Sequence, residues 1–246
     1  MKEIALRIDD IGASTKKFEV CSKLPFGNFL FLKYLYPFKA WGPYDEINYR
    51  KWSQILEILY KYNSKLTVGV TATWVDEKNN LIPFYEKFPK ESEILLNGQK
   101  NNLIKIANHG LTHCIVGNHL PKLFKSNRNF HREFWDYLDY NIHFENLRKS
   151  QKIFSDWIGE MPNLLIPPGN VYSIKTIKSA KKNSIKFINS SKIINNDSIE
   201  IINIGKVFAF HDKDIQLTSG LKWLIKILQN YSLSYNFKFV HELSRE

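Results

Sequence analysis

Short apolar runs alternate with longer amphipathic stretches along most of the chain, and the two periods separate its elements. Glu3 to Asp9 reads as a first strand, and the β-branched run Lys65 to Ala72 as a second. Between them, Asn48 to Tyr62 places Trp52, Ile55, Leu56, Leu59 and Tyr60 at helical spacing. Leu103 to Ala107 is the next strand. His131 to Trp157, with Phe134, Leu138, Ile142, Leu147 and Phe154, predicts a long helix. Leu164 to Ile166 is a short strand stopped by Pro167-Pro168-Gly169. The pattern continues with a helix over Ser173 to Asn183 and strands over Ile185 to Ile188, Ser198 to Ile204 and Val207 to Phe210. It ends with a helix over Leu221 to Tyr231, N-capped by Ser219, and a last strand over Tyr235 to Val240.

Strands alternating with helices make right-handed βαβ units and a parallel sheet. Seven or so such units predict an α/β fold: a closed or nearly closed barrel, one domain over residues 1–246. In such barrels the active site lies at the C-terminal ends of the strands. No internal repeat or linker-like tract divides the chain. One stretch, at about 22–47, resists the alternation and reads as an insertion. It holds Phe26, Phe29, Phe31, Tyr34, Tyr36, Phe38, Trp41 and Tyr44, broken by Pro25, Pro37 and Pro43. These aromatics suit extra packing, and equally a loop over the barrel mouth with Trp41 as a wall for a sugar ring.

Composition narrows the class. A chain of 246 residues, 43% of them hydrophobic, supports one sizeable core. No apolar run is long enough to span a bilayer, and the N-terminus enters the strand pattern without a cleavable apolar segment, which predicts a cytoplasmic protein. Cys21 and Cys114 make no disulfide framework, and Cys114 reads as a buried thiol. The net charge of +11 favours anionic partners. The lysines are spread along the chain, as at Lys149, Lys152, Lys181 and Lys182, with no concentrated basic arm. Nucleic acid is therefore not the expected partner. Phosphate-bearing sugars and lipid head groups suit the charge better, with the protein free in the cytoplasm or peripheral at the inner membrane face.

Three predicted strand ends carry ionisable groups. The first is Arg7-Ile8-Asp9-Asp10-Ile11-Gly12. Adjacent residues of a regular strand point to opposite faces, so one aspartate would be buried alone, which is costly. Both converge on one site if the strand stops there and Gly12 gives a sharp exit. A solvated Asx-type turn is the simpler alternative. The second is Asn108-His109-Gly110-Leu111-Thr112-His113. On a helix the two histidines, four apart, would face one metal; singly, each suits a capping or core position. The third is His211 after Phe208-Ala209-Phe210, otherwise a buried histidine held by a carbonyl. Together, Asp, His and His suit a catalytic divalent metal with a place left for water. A second aspartate as base and a histidine as acid complete the equipment for metal-assisted hydrolysis.

In this order the segments resemble the polysaccharide deacetylases, the NodB-homology group or carbohydrate esterase family 4. RIDDIG resembles the T-F-D-D-G motif, NHGLTH the H-S/T-x-x-H motif, Ile166 to Gly169 the R-P-P-aromatic-G motif, and FAFHD the late L/I-x-H-D motif. The resemblance implies a distorted (β/α)7-type barrel that removes acetyl groups from N-acetylated sugars, with a place in surface-polysaccharide biosynthesis. By position it implies Asp10, His109 and His113 as metal ligands, Asp9 as general base and His211 as general acid. Zinc suits this ligand set; cobalt or nickel also fit. Pro168 and Gly169 would line the substrate. Three positions depart from the motifs. Ile166 stands where an arginine orients the base, Gly110 follows the first histidine, and the aromatic before Gly169 is missing. Arg7 shares a face with Asp9 while the strand stays regular, and is the candidate replacement. A metal- and carbohydrate-binding barrel of impaired catalysis is the alternative, and the YdjC-type deacetylases, which also begin with a D-D-x-G strand end, are the rival relatives. The oligomeric state is not legible.

Overall fold

The computed structural model describes residues 2–19, 46–120, 132–217 and 219–243. Strand β1 (Lys2–Ile11) is buried from Ile4 onward on both faces, as the central strand of a parallel sheet must be. This is why Arg7, Asp9 and Asp10 lie inside the protein without any polar–apolar alternation. Helix α1 (Thr15–Phe18) follows, then α2 (Tyr49–Lys61), which turns Trp52, Ile55, Leu56 and Leu59 to the core. The Asn48 side chain caps α2 by accepting from Lys51 N at 3.0 Å.

Strand β2 (Leu66–Val70) pairs with one edge of β1. After it come a hairpin, β3 (Thr73–Val75) with β4 (Leu81–Pro83), and helices α3 (Phe84–Lys87) and α4 (Pro89–Lys100). The sheet continues through β5 (Ile104–Asn108), β6 (Leu164–Leu165), β7 (Phe187–Ser190) and β8 (Glu200–Asn203). Helix α5 (Tyr140–Ile158) joins β5 to β6, and α6 (Ile174–Lys182) joins β6 to β7. Strand β9 (Val207–His211), helices α7 (Asp212–Gln216) and α8 (Gly220–Ser232) and strand β10 (Tyr235–Lys238) complete the order.

The second edge of β1 is divided. Strand β10 pairs with residues 2–5 and β9 with residues 5–9. Strand β8 pairs with β7, and a single turn at 204–206 carries the chain into β9. One continuous stretch thus leaves β7 and takes up β1, bringing the ends of the sheet together. The result is a curled parallel sheet with helices around it, a single domain of distorted (β/α)7-barrel type. Among the described residues no helix is long and apolar enough to cross a membrane.

Several boundaries differ from the pattern reading. Strand β1 runs on to Ile11 instead of stopping at Asp9. Helix α5 starts at Tyr140, not near residue 131. The preceding stretch is held in turns by two side chains: Lys175 Nζ, from α6, reaches the Leu138 carbonyl at 3.0 Å, and His143 Nε2, from the first turn of α5, reaches that of Trp135 at 3.1 Å. Ser219 sits at the N-cap of α8 without making a side-chain cap. The hairpin and α4 carry no readable period, because β4 is half exposed and α4 buries only Ser92, Leu95 and Gly98. Cys21, His131 and most of the aromatic stretch, Trp41 included, lie outside the described residues.

Candidate active site

A bulge in β1 answers the question of the paired aspartates. Ile8 is in register with Val68 and Ile11 with Val70, so three steps on β1 face two on β2. The extra residue puts Asp10 at φ 69°, in the left-handed region, at a cost of about 1 kcal/mol. In exchange, neighbouring carboxylates no longer point to opposite faces, and both are buried at the C-terminal end of the sheet. Gly12, at φ 75°, then takes the chain out of the strand.

Asp10, His109 and His113 converge. Asp10 Oδ1 lies 3.3 Å from His109 Nε2 and 3.1 Å from His113 Nε2, and one ligand atom from each residue falls within 4.8 Å of the others. The far side of each imidazole is held. His109 Nδ1 donates to the Ile166 carbonyl at 2.7 Å, and His113 Nδ1 lies 3.0 Å from Thr15 Oγ1. Burial pushes the His113 ring down to about 3, so it is neutral. Burial would also depress His109, but its hydrogen bond to Asp10 and the charges of Asp9 and Asp10 outweigh that and raise it. The same histidines overcome the burial of Asp10 and hold it well below the usual carboxylate range. With His109 Nδ1 donating to the carbonyl, the contact of Nε2 with Asp10 Oδ1 carries a proton, and Nε2 becomes an acceptor only when that proton leaves. His113 Nε2 is buried without a hydrogen-bond partner among the described residues. Without the His109 Nε2 proton, two ring nitrogens and a carboxylate oxygen face one point, a donor set that fits a divalent ion.

Asp9 is held differently. Arg7 Nη2 donates to Asp9 Oδ2 at 2.6 Å, and Arg7 Nη1 donates to Asn189 Oδ1 on β7. Asn189 is itself tied to the Ile202 carbonyl at 2.8 Å. Asp9 Oδ1 is buried with no hydrogen-bond partner among the described residues. Ile166, in place of the motif arginine, is part of an apolar cluster. An arginine on β1 itself reaches Asp9 instead.

The histidine pair does not lie on a helix. Gly110 at φ 88° and His113 at φ 61° make a turn, and the buried Glu133 carboxylate organises it. Glu133 accepts from the backbone N–H of Leu111 (2.9 Å), Thr112 (2.8 Å) and His113 (2.6 Å) and from Thr112 Oγ1 (3.2 Å). Burial raises the Glu133 carboxyl against the pull of these four donors. A Cβ at Gly110 would fall 2.7 Å from Glu133, so the absent Ser or Thr is the condition for this contact. Sequence reasoning missed Glu133; its one trace was Gly110 in a place the motif gives to a larger residue.

His211 ends β9 in register with Asp9 on the adjacent strand. Its side chain is 44% exposed, and Nδ1 lies 3.8 Å from Asp214 Oδ2, so it stands beside the buried cluster and outside it. Pro168 is buried, and Gly169, at φ 58°, packs on Arg132, where a Cβ would meet Nε at 1.9 Å. Cys114 is buried, and burial raises its thiol well above the usual range. His119 bonds the Asp76 carbonyl at 3.0 Å and packs edge-on against Phe18, away from the ligand set.

The site is thus two carboxylates and two histidines gathered at the C-terminal strand ends of a parallel barrel, a set that can hold one divalent ion. The sequence profile of the polysaccharide deacetylases matches residues 42–188, and the chain belongs to that family. Solved structures agree on the fold. A family 4 acetyl xylan esterase from Clostridium thermocellum, in complex with a cobalt ion, shares 14% identity over 98% of this chain and 89% of its own, with a TM-score of 0.54. The CE4 domain of a multidomain xylanase from the hindgut metagenome of Trinervitermes trinervoides shares 15% over 98% of this chain and 88% of its own, with a TM-score of 0.53. A CE4 family pseudoenzyme from Bacillus anthracis shares 14% over 98% of this chain and 65% of its own, with a TM-score of 0.54. No curated protein matches the chain.

Proposed function

We propose that this protein is a divalent-metal-dependent hydrolase that removes the acetyl group from an N-acetylated sugar or sugar conjugate. The observation that carries the reading is the convergence of Asp10, His109 and His113 beside a separately held Asp9. Asp10, His109 and His113 would hold the ion, with zinc favoured by the donor set and cobalt compatible with it. When bound, a divalent ion supplies Lewis acidity toward a carbonyl and toward water.

The chain's own residues do the rest. Asp9, with Oδ2 fixed by Arg7, presents Oδ1 to take the proton of the attacking water. Arg7 and Asn189 keep that carboxylate from turning toward the cation site. His211, on the neighbouring strand end, gives a proton to the departing amine, without which a sugar amine leaves poorly. The net charge of +11 supports a substrate with phosphate, nucleotide- or lipid-linked, and hence a cytoplasmic step in building a surface polysaccharide.

The second reading is a binding barrel of impaired catalysis. Ile166 in place of the motif arginine favours it, as does the pseudoenzyme among the structural relatives. Metal-stripped protein, with zinc or cobalt added back, is to be assayed for acetate release from N-acetylated nucleotide sugars and oligosaccharides. Release that depends on metal and is lost in Asp9→Asn and in His109→Ala is the expected result. Metal and sugar binding with no acetate release selects the binding barrel. Full activity in an Asp10→Ala, His109→Ala protein defeats both readings.

A further inference from the structure

Lys16 is the single lysine in the interior among the described residues. A buried ammonium is costly unless acceptors surround it. Here three acceptors come to it from separate segments. Its Nζ donates to the main-chain carbonyl of Asp10 at 2.9 Å, meets Glu46 Oε2 at 2.7 Å, and donates to Asp212 Oδ2. Burial would depress the ammonium, but Asp212 and Glu46 outweigh it and hold Lys16 above the usual lysine range.

Each partner has a place in the site. Asp10 is the bulge residue in the left-handed region, and Lys16 bonds the carbonyl that this conformation turns out of the ladder. Glu46 also accepts from Gly12 N at 2.8 Å, so Lys16 and Glu46 together grip both sides of the strand exit. Asp212 directly follows His211 at the end of β9. We propose that Lys16 is a positioning residue: its ammonium fixes the β1 bulge that aims the Asp10 carboxylate at His109 and His113, and ties that bulge to the strand end bearing His211. The inference rests on reading Asp10 as a metal ligand.

The test uses the full chain and metal alone. Zinc affinity is measured by competition with a chromophoric chelator, and cobalt loading by visible absorption, for wild type, Lys16→Met and Asp10→Ala. Folding is checked by circular dichroism, and binding is read well below each melting midpoint, so that lost stability alone does not move it. The expected result is a folded Lys16→Met protein that holds zinc roughly tenfold more weakly, with an altered cobalt spectrum, as loss of a ligand-orienting contact produces. Wild-type affinity and spectrum in Lys16→Met, with binding lost in Asp10→Ala, overturn the inference and leave the site reading standing. Wild-type affinity in Asp10→Ala overturns the site reading and the inference with it. Should Lys16→Met not fold, the double variant Lys16→Met, Asp212→Asn decides. It removes the ammonium together with an anion that its loss would strand, so weaker binding supports the inference and unchanged binding overturns it.

Discussion

Gly69 leaves room for the Asp9 carboxylate. A Cβ there would stand 3.2 Å from Asp9 Oδ1 and 3.3 Å from Ile166 Cδ1, tighter than either neighbour tolerates without moving. Gly69→Ala should therefore lower turnover about tenfold or more by displacing the base, while metal affinity stays at the wild-type value. Steady-state kinetics and chelator competition on one preparation check both halves. Arg7 sets a second expectation. Its ion pair with Asp9 is nearly inaccessible to solvent, so Arg7→Met strands a buried charge and should cost roughly 3 kcal/mol in denaturant unfolding. Adding Asp9→Leu removes the stranded charge, so stability returns while activity does not. At this scale the motifs made the convergence of Asp10, His109 and His113 legible, because each stands at or just past a strand end. Glu133 was not legible, since it sits 20 residues beyond His113 and one buried carboxylate in a polar stretch carries no pattern.

The turn between β5 and Glu133 shows what elements add to residues. Two histidines four apart suggested a helix, but a turn capped by one carboxylate gives the same convergence. Glu133→Ala leaves three backbone donors without that acceptor and should destabilise the fold by about 2–3 kcal/mol and weaken metal binding. Chemical denaturation and a metal titration measure the two effects. Helices α5 and α6 meet at another polar contact. His143 Nδ1 lies 2.9 Å from Thr176 Oγ1, and Nε2 donates to the Trp135 carbonyl at 3.1 Å. Burial depresses this ring below its ordinary 6.5. The unfolded chain takes a proton there as pH falls below 6.5 while the folded chain does not, so the contribution is complete above that pH and lost below it. Unfolding free energies from denaturant titrations should drop on acidification, by up to about 1.4 kcal/mol per pH unit from this group, and His143→Gln should flatten that slope. Long amphipathic helices such as α2 were readable from their stripe. The start of α5 was not, because side chains from α5 and α6 hold the residues before it in turns.

At the scale of the molecule, one end of the barrel gathers buried ionisable groups: Asp9, Asp10, Glu46 and Asp212 beside Arg7, Lys16, His109 and His113. Burial and the nearby Glu46 and Asp10 charges outweigh Lys16 and push the Asp212 carboxyl up to about 8. A divalent ion that binds the folded chain and not the unfolded one stabilises it, so metal at a hundredfold excess over its Kd should add about 2.7 kcal/mol of stability. Differential scanning calorimetry with and without chelator should show a melting midpoint several degrees higher in the loaded form. The βαβ alternation gave away the barrel class, but nothing in the sequence showed how its circle is completed. That closure has a consequence for the order of assembly. The partners for one whole side of the opening strand are made last, from residues 207–211 and 235–238. While the chain is still being synthesised, the twin aspartates therefore sit on an unfinished edge. A ribosome-stalled fragment ending near residue 200 should be protease-sensitive and unable to capture zinc, and reactivity toward the ion should switch on only once the final strands have emerged.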